Sequence, residues 1–298
     1  MTLNRARHLR RTLTLSVSAA LLITIAAAPA TANAAGTTGV TSAADDRQYV
    51  ALGDSYSSGV GAPPYHDGDC KQSTHSYAAQ YAAAHPAMSF GFAACSGATT
   101  DDVIAHQLGF LGPDTKLVTI TVGGDNLGFT STLETCIEAL HDSTCKAAID
   151  KALAYVATTL PGKLKQVYGD ILAAAPNAKL VVLGYAQLFA PSFCLEAPLD
   201  ATRRGWINDA AVQLNKAIEA IAKTYGVFAP VDDLFTSHRV CSETPWLNGV
   251  TKLKDAFHPN LDGYTGGYLK ALDAAVRSVG GRDRLADAGA PASRPQRR

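Results

Sequence analysis

The sequence has no excess of charge of either sign. Its 298 residues include 26 lysines and arginines against 26 aspartates and glutamates, which gives a formal net charge of zero. Arginine-rich stretches occur only among the first and last few residues. Proteins that bind nucleic acid usually carry a basic patch or stripe, so this class of function is disfavoured.

The spacings that hold metals, dinucleotides or phosphates are also missing. There is no Cys-x-x-Cys pair with histidines at ligand spacing, which argues against zinc. Gly59-Val60-Gly61 runs into Pro63-Pro64 and does not form a dinucleotide fingerprint, and no His-Glu-x-x-His motif or phosphate loop occurs. The Gly-x-Ser-x-Gly elbow of α/β-hydrolases is absent as well. We therefore expect chemistry that needs no metal and no organic cofactor.

Only one apolar run approaches the length of a membrane span, and it lies at the N-terminus. Residues 13–28 follow a basic segment with four arginines and precede small residues that offer a cleavage site at Ala32-Asn33-Ala34. This order is typical of a secretory signal peptide, and the run is short beside the roughly 20 apolar residues of a spanning helix. We predict a signal peptide over 1–34, a flexible leader over 35–47, and a secreted, extracellular protein.

Six cysteines follow the predicted signal peptide: Cys70, Cys95, Cys136, Cys145, Cys194 and Cys241. An even number in a chain on the secretory route favours disulfides. Six cysteines allow 15 pairings, and the sequence alone does not choose among them. Pairing neighbours in order is the simplest arrangement.

Short apolar runs alternate with helical patterns along the body of the chain. Strands are predicted at 49–52, 88–93, 116–122, 178–184 and 227–231, and helices at 76–84, from Thr100, at 145–175 with a break at Pro161, at 200–225 and at 264–279. Near-continuous apolar strands separated by helices are typical of a parallel sheet covered on both faces. We predict one domain over 48–280, a three-layer α/β/α sandwich of the flavodoxin-like type with a central parallel sheet of about five strands. Residues 281–298, which contain almost no large apolar residue, are predicted to be a disordered tail.

Four polar segments lie where ligands bind in such sheets, beyond the carboxyl ends of the strands. They offer a hydroxyl at Ser55, an unobstructed backbone N–H at Gly97, an amide at Asn126, and the Asp255-x-x-His258 pair. Each alone has an ordinary interpretation, as a helix cap, a turn glycine, a turn asparagine or a surface ion pair. Together they supply a nucleophile, a base with a carboxylate beside it, and oxyanion donors, which is the full set for acyl transfer.

These motifs, in this order, resemble those of the SGNH (GDSL) hydrolases, and in particular the secreted actinomycete lipases and esterases. The resemblance covers about residues 48–280 and rests on Gly53-Asp54-Ser55-Tyr56-Ser57-Ser58-Gly59, Gly97, Gly124-Asp125-Asn126 and Asp255-x-x-His258-Pro259-Asn260. It implies Ser55 as nucleophile, His258 as its base, and an oxyanion hole made by the N–H groups of Ser55 and Gly97 with the Asn126 side chain. It also implies the bridges Cys70–Cys95, Cys136–Cys145 and Cys194–Cys241.

Two departures from the family pattern bear on the site. The third motif reads Gly-Asp-Asn instead of the usual Gly-x-Asn-Asp, although the asparagine is kept. Some relatives lack the triad acid and orient the histidine with a backbone carbonyl two residues earlier, which here would be that of Ala256. Because Asp255 is present, we expect its carboxylate to orient His258.

The resulting expectation is a carboxylic ester hydrolase, a lipase or esterase that works through an acyl-enzyme on Ser55. The same site would serve a phospholipase A1-type enzyme or a polysaccharide acetyl esterase, and a secreted α/β binding protein with a vestigial serine is the alternative of another class. We expect a monomer whose partner is a small-molecule or lipid ester, with transient contact to a lipid interface. Phe189, Phe193 and Trp246 are candidates for an acyl pocket, and loop packing is their more ordinary role.

Overall fold

Five parallel strands form the centre of the fold. A computed structural model describes residues 48–288; the predicted signal peptide and leader and residues 289–298 lie outside the described residues. The strands are β1 (Tyr49–Gly53), β2 (Tyr65–Asp67), β3 (Gln72–Ser73), β4 (Phe90–Phe92), β5 (Leu117–Thr121), β6 (Lys179–Leu183) and β7 (Val227–Ala229). The sheet has the order β4-β1-β5-β6-β7, and β2 pairs with β3 in a separate hairpin. The predicted parallel sheet is therefore confirmed.

Helices cover both faces of the sheet. They are α1 (Ser55–Ser58), α2 (Tyr77–Ala84), α3 (Thr100–Asp102), α4 (Phe129–Glu138), α5 (Asp142–Thr158), α6 (Leu160–Ala174), α7 (Ala201–Tyr225), α8 (Asp232–Phe235) and α9 (Leu269–Ala288). Helix α7 contacts α5 and α6, whereas α9 contacts α2 on the other side. The three-layer sandwich is thus confirmed, and among the described residues no helix is long and apolar enough to cross a membrane.

Burial explains why the strands are apolar throughout. Every residue of β1 and β5 is buried, because helices lie over both faces and leave no side of the strand in water. Strand β1 pairs with β4 on one side and β5 on the other. The chain therefore leaves β1 at the point where the strand order reverses, which is the usual place for a ligand in an open α/β sheet.

The predicted break near Pro161 is confirmed, since α5 ends at Thr158 and α6 begins at Leu160 with Pro161 in its first turn, where its missing N–H has no intrahelical partner to lose. The helices differ from the prediction at two other places. The last helix begins with a π-helical segment, Gly263–Tyr268, and continues as α9 past the predicted boundary at residue 280. Helix α4 was not predicted, because Phe129–Glu138 is rich in threonine and serine.

Three disulfides join segments that are separate in sequence. The pairs are Cys70–Cys95, Cys136–Cys145 and Cys194–Cys241, which confirms the pairing implied by the family resemblance. The second bridge joins α4 to α5, and the third joins the loops that follow β6 and α8. Both of these loops lie at the carboxyl edge of the sheet.

Candidate active site

Ser55 and His258 meet at the carboxyl end of β1. Ser55 is the first residue of α1, and its side chain is largely buried in the strand-to-helix turn. The Oγ atom of Ser55 lies 2.8 Å from Nε2 of His258, although 203 residues separate the two in sequence. A hydroxyl that donates to a neutral imidazole nitrogen at this distance is placed for proton transfer.

The other ring nitrogen of His258 is oriented by the backbone. Its Nδ1 lies 2.9 Å from the carbonyl oxygen of Ala256, and since a carbonyl only accepts, Nδ1 carries the proton and leaves Nε2 to accept from Ser55. Asp255 instead forms a salt bridge with Lys71, with 3.3 Å between Oδ1 and Nζ. The expectation that the Asp255 carboxylate orients His258 is therefore wrong: the short turn brings the Ala256 carbonyl to the ring, and the lysine holds the carboxylate.

Burial keeps the imidazole of His258 neutral. Desolvation is the main cause that lowers the pKa of His258 to about 4, and the positive charge of Lys71 acts in the same direction. The Ala256 carbonyl and the Asp255 carboxylate oppose this shift. At neutral pH the ring is therefore unprotonated, which is the state that a general base requires.

A short bridge between two loops fixes the backbone around His258. Phe257 has a positive φ of 62°, and its N–H donates to the Asn248 carbonyl at 2.8 Å, while the Asn248 N–H donates to the His258 carbonyl at 2.9 Å. The Nδ2 of Asn248 reaches the Gly61 carbonyl at 2.9 Å, and the Tyr56 hydroxyl donates to the Phe257 carbonyl at 2.6 Å. Tyr56 and Gly61, which both follow Ser55 in the chain, thus help to hold the loop that carries His258.

Gly61 allows these two segments to come close. It adopts a φ of +100°, and a Cβ placed there would lie 2.2 Å from the Pro259 carbonyl oxygen and 3.0 Å from the His258 Cβ. Only glycine takes this conformation at little cost. The residue therefore sets how closely the base approaches the segment after α1.

Asp54 lies beneath the nucleophile and ties three strand ends together. It caps α1 by accepting the Tyr56 N–H at 3.0 Å, so the ordinary capping interpretation is correct for Asp54. It also accepts from the Thr121 hydroxyl at 2.6 Å and from the Tyr185 hydroxyl. Burial first, and then the nearby Asp125 carboxylate, raise the pKa of Asp54 to about 7. Since these contacts join the ends of β1, β5 and β6, they fix the turn that carries Ser55.

The two expected oxyanion donors lie in turns at the same edge of the sheet. Gly97 is exposed, has a φ of +82°, and nothing lies within 4 Å of the position that a Cβ would take, so its backbone is open to a ligand. The side chain of Asn126 pairs with Thr100, donating from Nδ2 to Oγ1 at 2.9 Å and accepting the Thr100 N–H at 3.0 Å. Within residues 48–288, neither residue forms a hydrogen bond with Ser55 or His258.

An apolar pocket opens beside the Ser55–His258 pair. Both residues line it, together with the polar residues Asp54 and Asp125 and with side chains from α4, α5 and α7. Its apolar walls include Leu127, Phe129, Leu133, Ile149, Val156 and Leu214. A pocket of this kind can take an alkyl chain and place the adjoining carbonyl at the serine hydroxyl.

Comparison with known proteins identifies the family. The model of the GDSL-like lipase/acylhydrolase family matches residues 51–265. The chain belongs to this family. Membership confirms the resemblance seen in the sequence and the expected enzyme class, a carboxylic ester hydrolase. Lipase 1 of Streptomyces coelicolor is 45% identical to this GDSL hydrolase over 234 residues, which cover 76% of the chain and 86% of that protein.

Two solved structures with the same fold come from Streptomyces species. The extracellular lipase of Streptomyces rimosus is 44% identical, with a TM-score of 0.73 and coverage of 77% of this chain and 99% of that one. The phospholipase A1 of Streptomyces albidoflavus is 42% identical, with a TM-score of 0.73 and coverage of 76% and 98%. This GDSL hydrolase is therefore similar, at nearly equal identity, to a lipase and to a phospholipase A1.

Sequence reasoning missed several residues that shape the site of this GDSL hydrolase. Lys71, Asn248 and Tyr185 carry no motif and lie far from Ser55 in sequence. Gly61 was noticed only as part of a failed dinucleotide motif. The aromatic candidates do not line the pocket: Phe189 packs against Phe257 and Trp246 against Phe235 and His238, while Phe193 is 67% exposed.

Proposed function

We propose that this protein is a secreted hydrolase of long-chain acyl esters with Ser55 as nucleophile and His258 as general base. The observation that supports this most directly is the 2.8 Å contact between Oγ and Nε2 at the mouth of an apolar pocket. The nucleophile and the acyl-binding wall are thereby adjacent. A binding protein with a vestigial serine would have no need of this pairing.

The proposed reaction has two steps. The Oγ of Ser55 attacks the ester carbonyl carbon as Nε2 of His258 takes the hydroxyl proton, and collapse of the tetrahedral intermediate expels the alcohol, which receives that proton. Water then attacks the acyl-enzyme, its proton passes to Nε2, and the acid leaves as Ser55 recovers its proton. The Ala256 carbonyl keeps Nδ1 protonated throughout and accepts from the imidazolium.

The proposed oxyanion hole consists of the backbone N–H groups of Ser55 and Gly97 and the side chain of Asn126. Gly97 presents an open backbone, and Asn126 is held in place by two hydrogen bonds to Thr100. A carboxamide nitrogen has two N–H donors, so one remains for the oxyanion while the other binds Thr100. Donors fixed in this way stabilise charge that develops in the transition state.

Phospholipid is the second candidate substrate beside acylglycerol. It is favoured by the likeness to the phospholipase A1 of Streptomyces albidoflavus, which is nearly as similar as the lipases. Both substrates present a fatty acyl ester, and the apolar pocket fits either. An acetyl group would leave most of this pocket unfilled, so polysaccharide acetyl esters are poorer candidates.

The test combines active-site labelling with a series of esters. A fluorophosphonate probe should label the wild type and Ser96→Ala but not Ser55→Ala, and Ser55→Ala should lose hydrolysis while keeping its circular dichroism spectrum. The kcat/KM for p-nitrophenyl esters should rise from acetate to long chains. Labelling of Ser55→Ala would contradict the nucleophile assignment, and a maximum at acetate would contradict the long-chain proposal.

Export is proposed from the N-terminal segment, and the Streptomyces rimosus relative is itself described as extracellular. Cleavage after Ala34 would give a secreted form that begins at Ala35. N-terminal sequencing of protein from the culture medium checks this. A medium form that begins at Met1, or retention of all protein in the cells, would contradict it.

A further inference from the structure

Large apolar side chains are exposed on two loops of this protein. Leu140 is 92% exposed at the turn between α4 and α5, and Phe193 and Leu195 are 67% and 81% exposed in the loop between β6 and α7. The other exposed large apolar residues of the described chain, Leu234 and Leu261, reach only 37% and 46%. Large apolar side chains that are at least two-thirds exposed indicate a contact surface where they lie together.

The beginning of α7 holds both loops in place. Arg203 donates from Nη1 to the Cys136 and Ala139 carbonyls at 2.9 and 2.8 Å, immediately before Leu140. The next residue, Arg204, is buried and donates to the Ala190 and Ser192 carbonyls, immediately before Phe193. Arg203 and Arg204 are adjacent in the first turn of α7, and each binds one of the two loops. The two loop tips, one at Leu140 and the other at Phe193–Leu195, therefore lie beside the N-terminal end of α7.

Each tip is also closed by a disulfide. Cys136–Cys145 joins the ends of α4 and α5 on either side of Leu140, and Cys194, between Phe193 and Leu195, is bonded to Cys241. Side chains on backbones held in this way cannot easily fold back onto the protein. Their exposure is therefore a property of the folded chain.

The helices that carry or anchor the two tips also line the apolar pocket. They are α4, α5 and α7, which contribute, for example, Leu133, Ile149 and Leu214. The chain enters α7 from the carboxyl end of β6, at the same edge of the sheet as Ser55. The same three helices therefore carry or anchor the exposed apolar tips and line the apolar pocket beside Ser55.

The charge around the tips favours a partner that is not anionic. Residues 129–145 contain Glu134, Glu138 and Asp142, and residues 184–202 contain Glu196 and Asp200, with no lysine or arginine in either range. Of the two arginines that hold the loops, Arg203 is paired with Asp142 and Asp200, and Arg204 is buried against the Ala190 and Ser192 carbonyls. A surface of anionic lipid would be repelled by this rim, whereas a zwitterionic or uncharged surface would not.

We propose that Leu140, Phe193 and Leu195 insert into the surface of zwitterionic or uncharged lipid and place the pocket entrance against it. This interfacial patch, defined by those three residues, would let an acyl chain pass from the lipid into the pocket without crossing water. The inference rests on the proposed function only for the role that lipid binding would have in hydrolysis. Binding itself needs no turnover and can be measured apart from it.

Binding is tested with vesicles of ether-linked phosphatidylcholine, which contain no ester to hydrolyse. Co-sedimentation should show that Leu140→Ser/Phe193→Ser/Leu195→Ser partitions about 100-fold more weakly than the wild type, because each buried apolar side chain contributes substantially to transfer. Leu234→Ser is the matched control, since it removes an exposed leucine that lies outside the patch. A loss below about threefold in the triple variant, or an equal loss in Leu234→Ser, would overturn the proposal.

Two further arms separate the patch from its rivals. Mixing anionic phosphatidylglycerol into the vesicles should leave binding unchanged or weaken it, and a marked strengthening would overturn the choice of lipid. Sedimentation velocity of the wild type without lipid should show a monomer. A dimer that the triple variant abolishes would show that the patch covers a second copy of the chain instead.

Kinetics distinguish failure of this inference from failure of the proposed function. On monomeric p-nitrophenyl butyrate, the triple variant should keep kcat/KM within about twofold of the wild type, while its rate on ester-linked phosphatidylcholine vesicles or emulsified triacylglycerol should fall at least tenfold. Equal losses of activity on the soluble ester and on the lipid substrates would overturn the proposed role of the interfacial patch. A wild type that is inactive on the soluble ester would contradict the proposed function. Binding to ether-lipid vesicles would still test the interfacial patch, because it needs no turnover.

Discussion

The ammonium group of Lys71 holds the carboxylate of Asp255. The Nζ atom lies 3.3 Å from Oδ1 of Asp255 and 3.0 Å from the carbonyl oxygen of Lys254, and both side chains are about three-quarters buried, with 23% exposed. The acid three residues before His258 in sequence is thus engaged with a cation. The backbone carbonyl of Ala256 orients the His258 imidazole instead.

Asp255→Ala should therefore lower kcat less than about tenfold, because the Ala256 carbonyl remains to hold Nδ1. Lys71→Ala removes the same salt bridge from the other side and should change kcat by a similar factor. Steady-state kinetics on a soluble ester measure both. A loss of roughly 10⁴-fold in Asp255→Ala, as for the acid of a serine protease triad, would show that the carboxylate orients the ring after all.

Gly61→Ala should reduce kcat by at least about 100-fold while the fold persists, because displacement of the base by 1 Å can have this effect. The added Cβ would lie 2.2 Å from the Pro259 carbonyl, so the loop that carries His258 must move. Gly68→Ala is the matched control, since nothing lies within 4 Å of its Cβ position. Equal activity in the two variants would mean that Gly61 does not set the approach of the base.

Asn126→Ala should lower kcat by roughly 10²–10³-fold, as removal of one oxyanion donor does elsewhere, with little change in KM. Asn177→Ala, which removes an exposed asparagine that bonds to Pro113, serves as the control and should match the wild type. An unchanged kcat in Asn126→Ala would exclude its side chain from the oxyanion hole.

The pH dependence of kcat/KM follows from the buried imidazole. Because burial lowers the pKa of His258 to about 4, activity should be constant through neutral pH and fall only as the pH drops through about 4. The ammonium of Lys71 is one cause of the low pKa, so Lys71→Ala should move the midpoint to higher pH. A wild-type midpoint near 6.5, the ordinary histidine value, would contradict the desolvated base.

The same group affects stability with a definite sign. Between about pH 4 and 6.5 the unfolded chain protonates His258 and the folded chain does not, so the unfolded state binds more protons and the free energy of unfolding falls as the pH is lowered through this window. Urea denaturation of the wild type and of His258→Gln across this window checks it. The variant should lack this part of the slope.

Local patterns were enough to predict the sheet and the pairing of Ser55 with His258. Strands β1 and β5 are apolar along their whole length because they are buried on both faces, and this pattern is visible in the sequence. Ser55 and Asn126 could be found because turns that follow such strands gather at one edge. The contact of Ser55 with His258 follows from the topology, in which the order of strands brings distant segments together.

Contacts between distant segments account for what the sequence did not reveal. The partner of Asp255 is 184 residues away, and no local pattern selects Lys71 over the other lysines. Helix α4 is rich in serine and threonine, and its last turn is held by the Cys136–Cys145 bridge and by Arg203 from α7. Tertiary contacts override weak local preference in such segments.

The Cys70–Cys95 bridge links the segment of Lys71 to the segment of Gly97. Cys70 precedes Lys71, which anchors the segment before His258, and Cys95 lies two residues before Gly97. The Ser96 N–H also donates to the Cys70 carbonyl at 3.0 Å. This disulfide therefore fixes the distance between the Lys71 and Gly97 segments, which are the two flanks of the proposed reaction centre. A reducing environment would act on these two flanks together while leaving the hydrogen-bonded sheet beneath them in place.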